Sequence, residues 1–314
     1  SHGTLGFLVA AELKIIPAKK YVKVTYYPAQ TLEDVCGGFN RACRNTIDND
    51  YVEALTYSRE TGVIMVGQLT DISGPDGRIN RIGLWFKPWF YKHVESILER
   101  GEIVVEYIPL RHYLHRHTRS YFWTMEEIIP FGNNPLFRLM LGWALPPRIE
   151  LLKYTETETT RQLREKHHVV QDMLMPMAEL KKSLEYFDDH FDLYPLWLSP
   201  MAIYDNRTHV GLIHPYPTKD GRLDPMYVDI GAYGTPKKPG FDGLSALRDL
   251  EHFVIQNHGY QALYAKTLLS ESDFRKMFDH SDYDRLRESL PLCTKAFGQI
   301  YDKVSAKGRI SPVE

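Results

Sequence analysis

The sequence predicts an α+β fold in which helices cover one side of an antiparallel sheet. Residues 21–70 space their apolar side chains in the order strand, helix, strand, strand, which is half of a ferredoxin-like unit. A second set of strands and a helix is indicated in residues 194–257. With 314 residues and 43% hydrophobic content, the chain can bury one sizeable core or two smaller ones.

The chain opens on a tight turn that leads into an apolar run. Gly3 and Gly6 bracket the turn, and residues 7–11 are predicted to form a strand. Because glycine has no Cβ, such a turn can approach a cofactor closely, and its amides can donate to phosphate or ribose oxygens. A purely structural turn is the commoner meaning of this spacing, and no complete dinucleotide or phosphate-loop motif is present.

The first half of the sheet is predicted within residues 22–69. Residues 22–26 alternate apolar and polar side chains, which indicates a half-buried strand. Thr31 then stands where a helix N-cap is expected, and apolar residues follow it at helical spacing. Residues 51–57 and 63–69 are β-branched and aromatic runs separated by turn-forming residues, so they predict a hairpin.

The elements predicted after residue 70 follow a less regular order. Residues 71–150 are rich in turn signals, aromatic residues and basic residues, and we interpret them as a functional insertion. A strand at 149–154 and a long helical region at 156–191 follow, with Leu163, Val170, Leu174 and Met177 on one helical face and Pro176 as a kink. The remaining predicted elements are strands at 194–198 and 226–232 and a helix at 242–257, capped by Gly259.

Composition excludes several classes of partner and site. The 38 Lys and Arg residues nearly balance the 40 Asp and Glu residues, so we expect no nucleic-acid partner. Cys36, Cys43 and Cys293 show no Cys-x-x-Cys spacing, which disfavours a disulfide framework or a thiolate metal site and indicates buried thiols in a reducing compartment. No apolar run is long enough to span a membrane, and no signal segment opens the chain, so we expect no anchor in it.

Eight segments, taken in order, resemble one protein family. They are residues 3–12 (GTLGFLVAAE), 15–22 (IIPAKKYV), 87–90 (KPWF), 107–113 (YIPLRHY), 115–120 (HRHTRS), 129–135 (IPFGNNP), 167–174 (HHVVQDML) and 227–234 (YVDIGAYG). As an ordered set, reaching from Ser1 to about Tyr301, they resemble the Δ24-sterol reductase family, the Diminuto/seladin-like enzymes. These are FAD proteins of the vanillyl-alcohol oxidase superfamily, and the chain resembles their C-terminal part.

The resemblance implies a domain division and a cofactor. Residues 1–20 would end the FAD-binding domain with its last strand, and residues 21–314 would form the ferredoxin-like cap, or substrate, domain, with the insertion at about 71–150. Five residues would bind the edge of FAD, namely Gly3, Thr4, Leu5, Gly6 and Phe7. Since the loop for the FAD pyrophosphate would lie upstream of Ser1, we expect this chain alone to be inactive and to hold no stoichiometric FAD.

The resemblance also implies the reaction and its location. The parent protein would reduce the C24=C25 side-chain double bond of a sterol in sterol biosynthesis, with NADPH as cosubstrate. It would sit in the endoplasmic reticulum membrane through an N-terminal segment, with its catalytic part in the cytosol. Because an isolated alkene has no carbonyl to polarise, we expect protonation to lead and hydride transfer to follow.

Residues 111–119 hold the densest cluster of cationic and titratable groups in the chain. Three histidines in it could ligate zinc, but neither a helical His pair nor a nearby Cys supports a metal site, and we predict none. A solvated basic surface is one alternative. The other is a site facing a flavin, in which Arg119 stabilises the charge of the reduced ring and His117 supplies or relays a proton.

Two further catalytic candidates lie near the end of the chain. Alternation along the strand at 226–233 places Tyr227, Asp229 and Tyr233 on one face. A carboxylate between phenols suits an acid or hydrogen-bond network, although an exposed polar sheet face is the alternative. The resemblance returns the segment containing Tyr264 to the flavin, and Tyr264 is the preferred proton donor.

Residues 128–147 are apolar and carry almost no charge, but the stretch is too short and broken to span a bilayer. A core helix is one interpretation. The alternative is the wall of a sterol-sized pocket, with Phe131, Phe137 and Trp143 as substrate-binding residues. Residues 85–92, aromatic with flanking lysines, fit either a packed turn or a membrane-interface contact. Both segments are therefore candidate membrane contacts.

The predicted function is FAD-dependent reduction of the sterol side-chain double bond by an oxidoreductase acting on a CH–CH group. Two alternatives stay open. One is a flavin oxidase of the same superfamily that acts on an alcohol or amine. The other is a non-catalytic sterol-binding or interaction fragment.

Overall fold

The computed structural model describes residues 2–145, 167–203, 211–214, 216–217, 223–265 and 267–306. Its strands are β1 (Tyr21–Ala29), β2 (Tyr51–Thr56), β3 (Gly62–Thr70), β4 (Arg78–Ile79), β5 (Val104–Pro109), β6 (Val169–Pro176), β7 (Leu196–Ala202), β8 (Tyr216–Pro217), β9 (Leu223–Asp224), β10 (Met226–Gly234) and β11 (Tyr260–Gln261). Its α-helices are α1 (Leu32–Arg44), α2 (Phe90–Arg100), α3 (Leu110–Leu114), α4 (Thr124–Ile128), α5 (Pro135–Leu141), α6 (Leu180–Phe191), α7 (Gly243–Gln256), α8 (Glu271–Met277), α9 (Ser281–Ser289), α10 (Pro291–Ala296) and α11 (Ile300–Val304).

Nine of these strands form one sheet in the order β11-β6-β10-β7-β2-β3-β1-β5-β4, and β8 pairs with β9 apart from it. Only the two-residue β4 pairs in parallel, with β5, and the other neighbours in the sheet are antiparallel. The prediction of an α+β fold built on an antiparallel sheet is confirmed. The Thr31 cap is confirmed as well, since its side chain accepts a hydrogen bond from the Asp34 amide.

The strand–helix–strand–strand unit continues into the predicted insertion. Within residues 71–150, α2 and β5 follow β3, and the resulting strand order β2-β3-β1-β5 is that of a β-α-β-β-α-β unit. This segment therefore supplies part of one edge of the main sheet. The domain boundary at residue 20 stays a prediction.

Helices cover both faces of the sheet, so the expectation of helices on one side is wrong. α1, α6 and α7 share one core with Ile64 of β3. α2 packs in a second core with Val63 and Met65, the residues on either side of Ile64 in the same strand. Since successive side chains of a strand point to opposite faces, the two cores lie on opposite sides of β3. The continuous apolar run Val63–Met65 is the sequence signature of a strand buried on both faces.

The predicted long helix at 156–191 is wrong for residues 169–176 and is confirmed for Leu180–Phe191, while residues 156–166 lie outside the described part of the chain. Residues Val169–Pro176 form β6, which pairs with β10 on one side and with β11 on the other. The apolar residues at helical spacing were misleading because β6 is buried on both faces. Helix α6 begins at Leu180, after Pro176 has ended the strand. The strand expected at 149–154, and Leu163, lie outside the described residues.

Two smaller predictions also differ from the structure. Residues 7–19 form no strand, and Phe7 is 84% exposed. At the end of α7 the left-handed residue is His258, with φ 56°, rather than Gly259. The amides of Gly259 and His258 donate to the carbonyls of Val254 and Ile255, which is the Schellman pattern. Gly259 is needed for packing instead, because a Cβ there would lie 2.5 Å from the Met175 sulfur.

Candidate active site

A cavity of about 750 Å³ opens beside β10 and β6 on the face that carries the second core. Its lining residues are Tyr121, Phe122, Thr124, Glu127, Ile128, His167, His168, Val170, Tyr233, Thr235 and Tyr264. Tyr121 and Phe122 have φ values of 40° and 62°, a left-handed conformation that is unusual for bulky side chains. Such strain costs about 1–3 kcal/mol per residue and concentrates at binding and catalytic sites. The cavity is therefore the leading candidate for a binding or catalytic site.

A carboxylate and two phenols meet at the wall of this cavity. Asp172 of β6 accepts hydrogen bonds from the hydroxyls of Tyr233 and Tyr264. Asp229 of β10 lies on the same sheet face and is only 8% exposed. Burial, and then the nearby Asp172 carboxylate, raise the pKa of Asp229 to about 8. An acid–phenol network is therefore present, but its hydrogen-bonded carboxylate is Asp172 rather than the predicted Asp229, and Tyr227 donates to backbone carbonyls instead. The predicted face is buried, so the alternative of an exposed polar face is wrong.

A second polar cluster surrounds Glu53, a carboxylate with 2% exposure in the centre of β2. Its oxygens accept from Arg116 Nε at 2.7 Å, from Trp197 Nε1 at 3.0 Å and from His117 Nε2 at 3.1 Å. Burial opposes ionisation of Glu53, but Arg116 and His117 outweigh it and hold the pKa of Glu53 well below its ordinary value. Glu53 is therefore a carboxylate at neutral pH.

His117 is held in one tautomer by this carboxylate. An ionised Glu53 can only accept, so the proton of the imidazole lies on Nε2. Burial lowers the pKa of His117, partly against the attraction of Glu53, and keeps the ring neutral. The Nδ1 atom is buried and has no hydrogen-bond partner among the described residues. His117 thus offers one acceptor atom inside an aromatic environment.

Phe122 joins the two clusters. Its ring stacks on His117 with centroids 4.5 Å apart, and it contacts Tyr233 at 5.1 Å and Trp197 at 5.2 Å. The structure therefore brings His117, Tyr264 and Asp229 into one neighbourhood on a single sheet face. Residues that belong to one site must lie together in this way.

Arg119 lies outside the cavity lining, and its catalytic role stays a prediction. Its guanidinium donates to the backbone carbonyls of Leu84, Trp85 and Lys87 at 2.7, 2.5 and 3.0 Å. Burial, and then the neighbouring Arg138, lower the pKa of Arg119 to about 10. Arg119 does not line the cavity, so this geometry favours fastening of the 84–87 turn over catalysis. The described residues also contain no group of three or more His, Cys, Asp or Glu that could hold a metal.

The predicted cofactor-binding turn is fastened to the C-terminal helices. Thr4 is fully buried, its hydroxyl accepts from Tyr283 at 2.8 Å, and its carbonyl accepts from Arg287 at 2.9 Å. The Leu5 carbonyl accepts a weak bond from the Cys293 thiol. The Thr4 side chain is thus already engaged inside the chain. Binding of FAD by residues 3–7 stays a prediction.

The predicted substrate-binding residues do not line the cavity. Phe131 and Trp143 are 62% and 70% exposed, and the Phe137 ring packs edge-on against Phe131. In α5 the one buried residue is Arg138, whereas its leucines and methionine face outward. The core-helix alternative is therefore wrong. Ile128, which lines the cavity and is 52% exposed, connects this apolar surface to it.

The residues missed by sequence reasoning share one signal. Glu53 and Asp172 are each a lone carboxylate inside an apolar run, YVEALT and VVQDMLM. A lone acid in a buried strand must be hydrogen-bonded or protonated, since an isolated charge is costly to bury. This pattern would have pointed to both positions. Within the described part of the chain, no helix is long and apolar enough to cross a bilayer.

The chain is similar to curated proteins over nearly all of its length. It is 49% identical to the "Delta(24)-sterol reductase" of Macaca fascicularis over 98% of this chain and 58% of that protein. The Caenorhabditis elegans homolog and the Arabidopsis thaliana protein are 42% and 37% identical, with the same coverage of both chains. The chain therefore spans a little over half the length of these relatives.

The comparisons with family models and with solved structures add no further similarity that supports a function. No family model matches the chain. A solved "Solvent-stable cholesterol oxidase" aligns at a TM-score of 0.34 and 11% identity, covering 77% of this chain and 48% of that one, which is below the similarity of a shared fold. Over nearly its whole length, the chain is thus similar to Delta(24)-sterol reductases of animals, a nematode and plants.

Proposed function

We propose that this chain is the substrate-side part of a longer FAD-dependent oxidoreductase that reduces the C24=C25 double bond of a sterol, with hydride supplied by NADPH through the flavin. The observation that carries the proposal is the cavity of about 750 Å³, whose wall combines aromatic rings with the Asp172–Tyr264 pair. An apolar pocket with a few convergent polar groups is the usual character of a small-molecule site. The name shared by the relatives supports a sterol as the ligand.

The turn at residues 3–7 is compatible with the edge of a bound FAD. Gly6 has φ 143°, and no atom lies within 4 Å of the position that a Cβ would occupy. A backbone that is open in this way can be approached closely by a planar ring or a ribose. When bound, the flavin would supply hydride to the sterol. Gly3, Leu5 and Phe7 would accompany Gly6 in that contact, whereas the Thr4 hydroxyl is already engaged by Tyr283.

The residues of the chain would hold the substrate and manage its proton. Tyr121, Phe122 and Tyr233 would pack against the apolar side chain of the sterol. Tyr264 would deliver a proton to the alkene from its position at the cavity wall. The hydrogen bond between Glu53 and His117 would hold the imidazole ring in place, and Phe122 of the cavity wall stacks on that ring.

We infer that the complete protein works at a membrane, in keeping with the endoplasmic reticulum location and cytosolic catalytic part implied by the resemblance. The outward-facing leucines of α5 and the exposed Trp85, Phe86 and Trp143 support a lipid contact. Since Ile128 belongs both to this surface and to the cavity, a sterol could pass from lipid to cavity without crossing water. Of the predicted membrane contacts, Trp85, Phe86 and the exposed apolar residues of 128–145 would form a route for substrate entry. Trp89, Phe90 and Tyr91 are buried in the second core, so that part of the predicted contact at 85–92 is wrong.

The test uses the complete protein with NADPH and a sterol carrying the C24=C25 double bond. Absorbance reports bound flavin, and mass spectrometry reports a product heavier by two hydrogens. Phe122→Ala should raise the KM for the sterol, whereas Tyr27→Phe, at an exposed ring outside the cavity, should leave it unchanged. Oxygen consumption with an alcohol or amine would favour the oxidase alternative. Sterol binding without flavin or turnover would favour a binding fragment.

A further inference from the structure

The absence of a side chain at Gly231 leaves a small space in which the Tyr233 hydroxyl meets the Asp172 carboxylate. Gly231 is the cross-strand partner of Asp172 in the β10–β6 ladder. A Cβ at Gly231 would lie 2.6 Å from the Tyr233 hydroxyl oxygen and 3.0 Å from Asp172 Oδ1. Both distances are shorter than ordinary contacts, so a side chain at this position would push the phenol off the carboxylate. Gly231 therefore permits the Tyr233–Asp172 hydrogen bond.

The second carboxyl on this sheet face is Asp229. It lies two residues before Gly231 on β10, and therefore on the same face and diagonal to Asp172. Its Oδ1 atom is buried and accepts no hydrogen bond within the described part of the protein. A buried carboxylate without a partner is costly, so this group is protonated more easily than an ordinary aspartate.

The groups that face the carboxyl pair are all phenols. Tyr233 of β10 and Tyr264 after β11 interact with both carboxyls, and Tyr260 of β11 interacts with Asp229. On the β7 side the cross-strand partner of Asp229 is Ser199, which does not titrate. His168 at the cavity is paired with Glu127 at 3.2 Å. Among the described residues, no positively charged side chain is therefore seen beside Asp172 and Asp229 that would keep both carboxyls ionised.

Two buried carboxyls on the same face of neighbouring strands repel each other when both are ionised. Burial raises the pKa of Asp172, and burial together with Asp172 raises the pKa of Asp229 to about 8. Asp172, which accepts from both tyrosines, is the better-stabilised anion of the two. The observed hydrogen bonds thus agree with one ionised and one neutral carboxyl.

We propose that Asp172 and Asp229 hold one proton between them at neutral pH, and that Tyr264 is the outlet of this proton into the cavity. Its use in catalysis rests on the proposed function. There the Tyr264 O–H bond breaks and the proton adds to one alkene carbon, while the electron pair for the other carbon arrives with the hydride of a reduced flavin. The proton held by the carboxyl pair then passes through Asp172, the hydrogen-bond partner of Tyr264, to the Tyr264 phenolate, and both carboxyls are left ionised. Solvent returns one proton to the pair.

The first test needs neither cofactor nor substrate. We would label the aspartates of this chain with ¹³C at the carboxyl carbon and follow their NMR shifts with pH. One carboxyl should remain protonated at neutral pH and titrate near pH 8. In Asp229→Asn that titration should vanish, and the titration of Asp172 should move to lower pH. Asp249→Asn, at an exposed position of α7, is the matched control and should change neither.

Gly231→Ala provides an independent readout of the geometry. We expect it to displace the Tyr233 hydroxyl and to alter the Asp172 titration, with Asp229 still present. If Asp172 titrates identically in the parent chain and in folded Asp229→Asn, the two carboxyls do not share a proton and the proposal is overturned. Two ionised carboxyls at pH 7 would overturn it as well.

The second test separates this proposal from the proposed function. In the complete protein, turnover should fall as the pH rises past about 8, and Asp172→Asn should lower turnover on the order of 10²-fold or more, as expected for loss of proton delivery. If the unmodified complete protein reduces no sterol, the proposed function fails while the NMR result stands. If it reduces sterols and Asp172→Asn leaves both the rate and the pH profile unchanged, only the proton outlet is wrong.

Discussion

At the scale of single residues, Glu53 organises its surroundings by accepting hydrogen bonds from Arg116, His117 and Trp197. These donors come from different parts of the chain and would be left buried without an acceptor if the carboxylate were removed. The loss of one partner from a buried charged cluster is more damaging than the loss of an exposed ion pair.

We expect Glu53→Gln to lower the free energy of unfolding by about 3–5 kcal/mol. Because the pKa of Glu53 is depressed in the folded protein, its contribution is fully present above its unfolded value of about 4.3 and is lost as the pH falls further. The difference from the parent chain should therefore shrink below about pH 4. Urea unfolding between pH 3 and pH 8 measures it, with exposed Glu60→Gln as the control. A difference that is constant across this range would contradict the assignment.

Arg119 is a positively charged residue to which the same argument applies, because its removal leaves several hydrogen-bond acceptors without their donor. Its three bonds to the carbonyls of the 84–87 turn predict that Arg119→Ala destabilises the chain by at least about 1.5–3 kcal/mol, the value of one charge-assisted hydrogen bond. Hydrogen exchange at residues 84–87 should accelerate, whereas exposed Arg111→Ala should leave it unchanged. Unaltered stability together with reduced turnover of the complete protein would instead restore a catalytic role for Arg119.

At the scale of elements, α5 reverses the usual orientation of an amphipathic helix. Arg138 is its buried residue, and it donates to the carbonyls of Asn133 and Phe86. Leu136, Leu139 and Met140 are each more than 60% exposed. Exposed apolar surface on this scale marks an interaction site, and α5 is therefore the element on which the lipid contact can be examined.

We expect Leu139→Asp combined with Met140→Asp to weaken binding of the chain to phosphatidylcholine vesicles by on the order of tenfold or more, since a buried Leu or Met contributes about 1.5–3 kcal/mol. The melting temperature should stay nearly constant because both side chains are exposed. Vesicle co-sedimentation and quenching of Trp143 fluorescence by brominated lipid measure the contact. Ile47→Asp, at a side chain 94% exposed and remote in sequence, is the control. Concentration-dependent self-association without vesicle binding would show that a second copy covers α5 instead.

At the scale of the whole molecule, the two ends of the described chain are fastened together. Arg287 of α9 donates to the carbonyls of Thr4, Phe297 and Gly298, and Lys303 of α11 donates to that of Gly3. The turn at residues 3–7 therefore depends on side chains nearly 300 positions away. Its shape belongs to the tertiary structure rather than to the local glycine pattern.

We expect Arg287→Leu to release this turn. Hydrogen exchange of the amides at residues 3–6 should accelerate by at least tenfold, since loss of one charge-assisted bond of about 1.5–3 kcal/mol raises the open population by that factor. Arg285→Leu, at a side chain 75% exposed on the same helix, should have no such effect. Equal exchange in the two variants would mean that Arg287 does not hold the turn.

The sequence by itself determined most of the local elements and the similarity to the Delta(24)-sterol reductases. β1, α1, the β2–β3 hairpin, β10 and α7 were predicted close to their observed bounds because alternation, capping and helical spacing act over a few residues. The predicted strand at 194–198 appears as β7, shifted to Leu196–Ala202. β6 was predicted as a helix because burial on both faces removes the alternation that marks a strand.

Only the tertiary structure decided which polar groups meet. Asp172 and Asp229 are joined by the register of β6 against β10, and Glu53 receives donors from residues more than 60 positions away. A short stretch of sequence specifies neither the strand pairing nor the inverted orientation of α5. Both depend on how surfaces distant in sequence are buried together. For this reason the sequence could point to single polar residues, but not to the donors that Glu53 receives or to the space that Gly231 leaves beside Asp172.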